Sequence, residues 1–231
     1  MYGTLATTFN EYHASVKKMT TEKIFWADPY QREMIATVTS VNGNVITLDK
    51  TIFYAFSGGQ ESDQGTIHGF KVLKADKDGT EISYTVDASH DLKPGDEVIV
   101  EIDWNRRYRL MRLHFAAEII LELVNQSFSR PPKVGAHIGE DKARVDFRWE
   151  GNISRIFPFL EQKAKDLIDA DLPIKSESRD KEAEQRFWEI DGFCRVSCGG
   201  THIRRTGEIG PITLKRNNIG KGKERIEIYL L

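Results

Sequence analysis

The sequence is poor in cysteine and has no long apolar run, and each shortage excludes a class of protein. Its two cysteines, Cys194 and Cys198, are four residues apart in a chain of 231 residues. Such a pair makes a poor disulfide framework, so a metal ligand or a reactive thiol is the better interpretation. No stretch approaches the roughly 20 consecutive apolar residues that a membrane-spanning helix needs. No signal peptide opens the chain, and we expect a cytoplasmic protein without membrane contact.

An excess of charge of one sign is also lacking, since the formal net charge is −2. The chain therefore has no overall attraction to nucleic acid, and any contact with RNA must come from a local patch. Apolar residues make up 39% and charged residues 29% of the sequence, a balance that excludes a disordered chain. At this length the chain can form one large domain or two small ones.

Residues 20–102 have the pattern of a small β-domain. β-rich segments at 37–41 and 44–48 flank Asn42-Gly43, a dipeptide typical of a type I′ hairpin turn. Regular turns without a long helix favour a small barrel or a sandwich. Residues 1–19 form an N-terminal extension, for which a short docked helix and a loose segment both remain open. Further short strands are predicted at 66–75, 81–86 and 97–102.

The pattern changes at Asp103, where a helical period begins and continues to about Ser129. Asp103 is a suitable N-cap, and Pro131-Pro132 ends the run. Residues 103–231 are predicted to form a second domain, of the α+β class. Apolar residues recur at steps of three and four, at Leu110, Leu113, Ala117, Ile120, Leu121 and Val124. Downstream we predict a strand at 143–149, a helix at 154–170 that starts nearer Phe157 because of Pro158, a short helix at 180–187, and strands at 193–196, 212–215 and 224–230.

Two pairs of residues have the spacing of metal ligands. His114 and Glu118 are four residues apart on the predicted helix, so both side chains lie on one face. Cys198 and His202 flank Gly199-Gly200, and these glycines let the backbone bend until both side chains reach one ion. Two imidazoles, a thiolate and a carboxylate suit zinc. Each pair alone also has an interpretation without a metal, as a histidine satisfied by a carboxylate and as a tight glycine turn.

A third segment, Ser57-Gly58-Gly59-Gln60, lies in the predicted β-domain. Its glycines permit close approach of the backbone to a ligand, and Gln60 offers both a donor and an acceptor. From the spacing alone, an ordinary β-turn is the better interpretation.

Together these segments resemble the AlaX family, the stand-alone relatives of the editing domain of alanyl-tRNA synthetase. The resemblance runs from about residue 20 to the end of the sequence, and it is to the medium-length class with a glycine-rich N-terminal domain. The segments that carry it, in family order, are 25–30, 57–60, 103–114, 138–147, 198–202, 206–210 and 220–228.

The resemblance implies a small β-barrel-like domain followed by an α+β editing domain of the alanyl- and threonyl-tRNA synthetase type. It implies trans-editing, in which a zinc-dependent deacylase hydrolyses tRNA(Ala) mischarged with serine, and it raises glycine as a second substrate. In the family, a His-x3-His pair and a Cys-x3-His pair hold the zinc, and three of these positions are His114, Cys198 and His202. The expected substrate-binding residues are Ser57, Gly58, Gly59, Gln60, Phe115 and Thr201, with Gln60 and Glu118 as catalytic residues.

The sequence departs from the family pattern inside the pocket. Glu118 replaces the second zinc-binding histidine, and Phe115 stands where threonine is frequent, while Ala55 and Glu61 occupy positions of family prolines. We expect Glu118 to complete the metal site or to accept a proton from the attacking water, and we favour the first role. Two alternatives stay open: a catalytically weakened relative that binds tRNA or metal, and a metal-dependent hydrolase of a small ester or amide.

Basic residues cluster in two segments. Some of the arginines at the start of the long helix, Arg106, Arg107, Arg109 and Arg112, must be structural because they cannot all face outward. The other segment, 203–225, holds seven Lys or Arg against two Glu. A solvated face with internal ion pairs is the interpretation that composition alone favours. Beside the Cys-x3-His pair we predict instead contacts with the phosphates of a tRNA acceptor stem, made by Arg204, Arg205, Lys215, Arg216, Lys221 and Lys223.

Overall fold

The structure, a computed structural model, describes residues 20–180 and 184–231, and its buried apolar residues fall into two clusters. One cluster runs from Phe25 to Ile102 and the other from Leu110 to Ile228. The first cluster ends at Ile102 and the second begins at Leu110, and the domain boundary near Asp103 stays a prediction. The predicted N-terminal extension lies outside the described residues. In the part of the chain that is described, no helix has the length and apolar character needed to cross a membrane.

The first cluster fills a closed β-barrel of six antiparallel strands. The barrel order is β2-β3-β7-β6-β5-β8, and the two remaining short strands, β1 and β4, pair in parallel beside it. Side chains alternate between the interior and the surface, as in β8, where Val98, Val100 and Ile102 are buried. The predicted barrel is therefore confirmed. The strands are β1 (Glu22–Lys23), β2 (Glu33–Asn42), β3 (Val45–Leu48), β4 (Lys50–Thr51), β5 (Gly65–Ile67), β6 (Phe70–Asp78), β7 (Glu81–Val86) and β8 (Glu97–Ile102).

The predicted hairpin between β2 and β3 is present, but its turn differs from the prediction. The turn residues are Gly43 and Asn44, and of these only Gly43 has a positive φ, of 59°. A type I′ turn needs positive φ at both central residues. That pattern occurs instead at His68, with φ of 52°, and Gly69, with φ of 80°. This turn divides the single strand predicted at 66–75 into the hairpin of β5 and β6.

The second cluster lies among two helices, a four-stranded antiparallel sheet and a three-stranded one. The sheet orders are β14-β15-β10-β9 and β11-β12-β13, and α1 packs on β9, β10 and β15. As predicted, Asp103 caps α1 by accepting a hydrogen bond from Arg106 N (3.1 Å), and α2 begins at Phe157 with Pro158 in its first turn. The elements are α1 (Trp104–Ser127), β9 (Lys133–Ile138), β10 (Ala143–Arg148), α2 (Phe157–Asp169), β11 (Lys175–Asp180), β12 (Gln185–Ile190), β13 (Cys194–Ser197), β14 (Ile212–Gly220) and β15 (Lys223–Leu230).

The short helix predicted at 180–187 is wrong, because its described residues belong to strands. β11 ends at Asp180 and β12 begins at Gln185. Phe187 and Trp188 are buried, and β12 pairs with β11 on one side and with β13 on the other. The charged residues of this segment indicate an exposed surface without distinguishing a helix from a hairpin. The buried aromatic rings decide the outcome, since they pack well on a pleated sheet.

Besides β11 and β12, two longer strands of this half, β9 and β14, are absent or too short in the prediction from sequence. β9 has no predicted counterpart, and β14 extends to Gly220 instead of residue 215. β9 contains Gly135 and only its last residue is buried, while β14 is exposed from Lys215 to Asn218. Neither segment has the alternating hydrophobic pattern that signals a strand. Backbone pairing with β10 and β15 holds them in place.

A buried ion pair joins the start of α1 to the barrel half. The side chains of Arg107 and Asp63 are both 0% exposed and form an ion pair with each other. The guanidinium also donates hydrogen bonds to the main-chain oxygens of Pro29 (3.0 Å) and Ile52 (2.6 Å). Asp63 accepts a further hydrogen bond from Tyr54 N (2.6 Å). The start of the helix is thereby fixed to three segments of the barrel half, and Arg107 is a structural arginine.

We expect Asp63→Asn to lower the free energy of unfolding by about 3–5 kcal/mol, because it leaves the Arg107 charge buried without a counter-ion. Urea denaturation followed by circular dichroism measures the loss. Asp76→Asn is the matched control, since Asp76 pairs with Lys74 at the surface (2.9 Å), where an ion pair contributes less than about 1 kcal/mol. Equal losses in the two variants would contradict the prediction.

Candidate metal centre

Three of the predicted ligands meet at one point. His114 lies on the buried face of α1, while Cys198 and His202 lie in the loop that follows β13. Their ligand atoms are all within 4.8 Å of one another. Nε2 of His114 is 3.4 Å from Sγ of Cys198, and Nε2 of His202 is 3.3 Å from the same sulfur. The helix residue and the loop residues, far apart in sequence, therefore form one compact cluster.

The spacing of these donors fits a tetrahedral metal ion. Zinc bonds of about 2.0–2.1 Å to nitrogen and about 2.3 Å to sulfur place a nitrogen and a sulfur ligand about 3.6 Å apart. The two nitrogen–sulfur distances of 3.4 Å and 3.3 Å are close to that value. Two imidazoles and one thiolate are also the donor types that zinc prefers. The residues present therefore suit such an ion.

Neighbouring groups orient both imidazole rings. The Nδ1–H of His114 donates a hydrogen bond to the main-chain oxygen of Thr201 (3.3 Å). Nε2 of the same ring then faces the cluster and can bind a metal ion through its lone pair. Oγ of Ser176 lies 3.0 Å from Nδ1 of His202, in the equivalent position. Hydrogen bonds of this kind fix the ring orientation of a metal-binding histidine. Ser176 lies on β11, a strand that the sequence analysis assigned no role.

The electrostatics of the cluster favour a positive charge at its centre. Burial raises the pKa of the Cys198 thiol, but the facing imidazoles of His114 and His202 reverse this and lower it to about 6. Burial lowers the pKa of His114, and the Cys198 thiolate outweighs this effect and raises it to about 10. The thiolate therefore makes this buried position favourable for a cation. A metal ion supplies that charge in place of the proton on His114.

Gly200 is required by close packing, whereas the prediction assigned the glycine pair a role in bending the backbone. A Cβ atom at Gly200 would lie 2.1 Å from Cε1 of His114 and 2.8 Å from Oε1 of Gln60. At Gly199, a Cβ atom would meet nothing within 4 Å. The need for glycine therefore applies to one of the two positions. The backbone of Gly200 packs directly against the ring of His114.

The glycine-rich loop, Ser57–Gln60, reaches the metal centre from the barrel half. Gln60 is 1% exposed; its Nε2 donates to Oγ1 of Thr201 (2.9 Å), and its Oε1 accepts from Thr201 N (3.2 Å). Two main-chain hydrogen bonds hold the loop at the edge of β9. Ile138 N donates to Gly59 O (2.8 Å), and Glu61 N donates to Ile138 O (3.0 Å). The β-turn that the spacing favours is present, since Gln60 N donates to Ser57 O (3.0 Å), but a turn alone does not account for the contacts with Thr201 and β9. Sequence analysis predicts the loop but not β9, the strand that receives it.

Glu118 and Phe115 lie beside the cluster in different ways. Oε1 of Glu118 is 3.3 Å from Nε2 of His114. Burial raises the pKa of Glu118, but the hydrogen bond with His114 outweighs this effect and holds the pKa below its ordinary value. Phe115 is fully buried, with its ring 5.7 Å from that of His202 and 4.9 Å from that of Trp188. Phe115 and Trp188 therefore form an apolar wall behind the ligands. Trp188 has no role in the sequence analysis, because its segment is predicted as helix.

Cys194, the other cysteine, lies outside the cluster of ligand atoms and is half-buried. Burial raises the pKa of its thiol to about 12, so it remains a neutral thiol near neutral pH. Neutral thiols are weak metal ligands.

The predicted RNA-binding residues are largely exposed, and several have carboxylate partners. Arg204 pairs with Asp28 (3.1 Å), and Arg205 pairs with Asp171 (2.7 Å). Arg216 pairs with Glu224 (2.5 Å). Lys215 lies over the ring of Tyr229, while Lys221 and Lys223 lie around the turn between β14 and β15. The contact of this patch with RNA stays a prediction, and its excess of positive charge is smaller than the segment alone suggests.

Comparison with known proteins places this architecture among aminoacyl-tRNA editing proteins. Residues 189–227 match the family model of the threonyl and alanyl tRNA synthetase second additional domain, and residues 4–106 match that of class II (A) tRNA synthetases. An alanyl-tRNA editing protein AlaX-M from Pyrococcus horikoshii is 34% identical over 214 residues, covering 91% of this chain and 98% of that protein. One from Methanosarcina barkeri is 34% identical over 242 residues, covering 91% of this chain and 99% of that protein.

The chain belongs to the AlaX-M family of alanyl-tRNA editing proteins, as the resemblance implied. It is also 32% identical over 229 residues to an alanine–tRNA ligase from Methanococcus aeolicus. That match covers 90% of this chain but only 25% of the ligase. The chain thus corresponds to a part of the ligase, and to nearly the whole of the editing proteins.

Gly200→Ala is expected to abolish metal binding, because the new methyl group would displace the His114 ring from the cluster. Gly199→Ala is the matched control and should bind as the unchanged protein does, since its methyl group enters open space. Zinc titration by calorimetry, with thermal unfolding to confirm that both variants fold, makes the comparison. Equal zinc affinity in both variants would show that His114 is not a ligand.

Proposed function

We propose that this protein is a zinc-dependent deacylase that hydrolyses tRNA(Ala) mischarged with serine, with glycine as a second amino acid to be tested. The observation that carries the proposal is the buried His114–Cys198–His202 cluster, which the glycine-rich loop meets through Gln60 and Thr201. Membership of the alanyl-tRNA editing family supports the substrate class. An ester at the 3′ end of tRNA is then the bond that is broken.

In this proposal, His114, Cys198 and His202 hold the zinc ion. When bound, zinc supplies a Lewis acid that polarises the reacting groups, or a template that orients them. Glu118 has its carboxylate 3.3 Å from the ligand nitrogen of His114, and its lowered pKa keeps it ionised. Because the compact set of ligand atoms consists of the other three residues, we propose that Glu118 accepts the proton of the attacking water.

The amino acid is proposed to lie between the glycine-rich loop and the apolar wall. Gln60 uses both ends of its amide on Thr201, so its role is to hold the two loops together at the pocket. Ser57, Gly58 and Gly59 then present backbone groups to the substrate, and Phe115 limits the depth of the pocket. A pocket that hydrogen-bonds the serine hydroxyl rejects alanine, because alanine would leave those polar groups unpaired.

Deacylation assays with Ser-tRNA(Ala), Gly-tRNA(Ala) and Ala-tRNA(Ala), each with and without a chelator, test the proposal. We expect hydrolysis of the serine ester that the chelator abolishes and added zinc restores, while the alanine ester persists. Binding of tRNA and zinc without hydrolysis would identify the weakened relative instead. Zinc-dependent hydrolysis of small esters that tRNA does not inhibit would identify the hydrolase without an RNA substrate.

Glu118→Gln keeps the shape of the side chain and removes its charge. If Glu118 accepts the proton, we expect zinc content to stay at one per chain, while the deacylation rate falls by about 100-fold or more. Zinc analysis and single-turnover kinetics on the same preparation separate the two roles. Loss of zinc together with activity would instead show that Glu118 is the fourth ligand.

Gln60→Ala is expected to lower the deacylation rate about tenfold, because the side chain of Thr201 loses a buried hydrogen-bond partner and its backbone N–H is left unpaired. Gln64→Ala is the matched control, since the Gln64 side chain is exposed near the same loop. Single-turnover rates and melting temperatures of both variants make the comparison. An unchanged rate in Gln60→Ala would show that the glycine-rich loop is not part of the active site.

A further inference from the structure

Arg186, on β12, is a partly buried cation near the metal centre. Its guanidinium donates a hydrogen bond to Trp26 O (3.1 Å) and lies 5.3 Å from the centre of the Trp26 ring. Among residues 20–180 and 184–231, no carboxylate forms an ion pair with it, in contrast to Arg106 and Arg107. Partly buried arginines are ordinarily matched by an anion. We therefore expect a bound ligand to supply the anion that pairs with Arg186.

Arg186 lies on the face of β12 that is turned toward the metal centre. Residues two apart on a strand lie on the same face, so Arg186 shares a face with Trp188. Trp188 packs on Phe115, and Phe115 packs on His202. The main chain of Arg186 also accepts a hydrogen bond from Cys198 N (3.0 Å). Arg186 thus stands at the outer end of the face that forms the wall of the metal centre.

A cleft of about 400 Å³ connects Arg186 with the metal centre. Its lining includes His202 and Gly200 at one end, and Trp26, Arg186 and Arg204 toward the outside. The indole of Trp26 is fixed there, because its Nε1 donates to Gly199 O (2.8 Å). The cleft is large enough for a nucleotide-sized group, and it reaches a ligand histidine.

The charges around this cleft favour an anion at Arg186. The carboxylate of Asp28, which also lines the cleft, is already paired with Arg204 (3.1 Å). Among the described residues, Arg186 has no carboxylate partner, and the Cys198 thiolate, which a bound zinc ion would take up, is the negative charge that acts on it. Arg186 also lines a second cleft, where Lys23 and Glu184 pair with each other and Glu22 and Glu177 add two further carboxylates. An anionic strand would be repelled from that side, so its path from Arg186 leads out past Arg204.

We propose that Arg186 binds a backbone phosphate at the single-stranded 3′ end of the RNA substrate and so positions the terminal nucleotide in this cleft, with its ester toward His202. The planar guanidinium can give two parallel hydrogen bonds to a phosphate, which fixes orientation as well as position. Arg186 is a positioning residue, since its contact is with the phosphate. The inference rests on the proposed function, which makes the RNA end the ligand.

The test is a thermodynamic cycle between the protein and the RNA. A labelled RNA stem-loop with a four-nucleotide single-stranded 3′ end is titrated with the protein at several salt concentrations. In matched RNAs, one of the last three linkages at a time is a neutral methylphosphonate. Arg186→Gln should weaken binding of the unmodified RNA about tenfold or more, and should reduce the slope of log Kd against log salt by about 0.7, the value for one single-strand phosphate.

The cycle identifies the contact by its non-additivity. One methylphosphonate should weaken binding to the unchanged protein as much as Arg186→Gln does, and should have no further effect on that variant. Arg195→Gln is the matched control, because Arg195 is exposed on the neighbouring strand β13 and lines neither cleft. It should leave the affinity within about twofold, as expected for a surface change outside the contact. If Arg186→Gln does not fold, Arg186→Lys takes its place in the cycle, because lysine keeps the charge but cannot give two parallel hydrogen bonds to a phosphate.

Two outcomes separate this inference from the proposed function. If the unchanged protein hydrolyses the serine ester but the effects of Arg186→Gln and of every methylphosphonate are additive, or absent, the phosphate contact is overturned and the function stands. If the cycle shows coupling but no aminoacyl ester is hydrolysed, the phosphate site stands and the proposed deacylase does not.

Discussion

The position of the metal centre depends on the buried ion pair between Arg107 and Asp63. Seven residues turn an α-helix by about 700°, so Arg107 and His114 lie on nearly the same face of α1. Asp63 follows Gln60 by three residues, so the same pair also anchors the chain just after the glycine-rich loop. A buried pair persists only while both partners keep their geometry. One contact between the two halves of the molecule therefore anchors both the ligand helix and the chain that follows the loop.

The metal centre has two unlike sides, and the difference suits ester hydrolysis. On one side Phe115 and Trp188 exclude water, which strengthens the attraction between the Cys198 thiolate and any cation at the centre. On the other side, polar groups of the barrel half and the ligand loop are paired through Gln60 and Thr201. The apolar wall strengthens the electrostatic interactions of the ligands, whereas the polar side joins the glycine-rich loop to the ligand loop. Each half of the molecule thus contributes a different property to one site.

The sequence predicts the residues whose signal is local, and it misses those whose role comes from packing. His114, Cys198 and His202 are predictable because donor type and spacing are properties of short segments. The barrel and α1 are predictable because hydrophobic period and the cap at Asp103 act locally. Ser176 and Trp188 escape prediction because their strands lie in a segment rich in charge, where period gives no signal. β9 escapes because it contains Gly135 and buries only its last residue, so it lacks an alternating pattern, although the glycine-rich loop depends on it.

The glycine-rich loop is attached to β9 by main-chain hydrogen bonds through Gly59, Glu61 and Ile138. Such bonds are the same for every side chain, so an exchange at Ser57 leaves the attachment of the loop unchanged. Gly59 has no such freedom, because a Cβ atom there would lie 2.8 Å from Ala136 O. The loop therefore joins a glycine that packing requires to a position, Ser57, whose side chain is not needed for the attachment. Substitutions can accumulate at Ser57 while the scaffold that holds the loop stays unchanged.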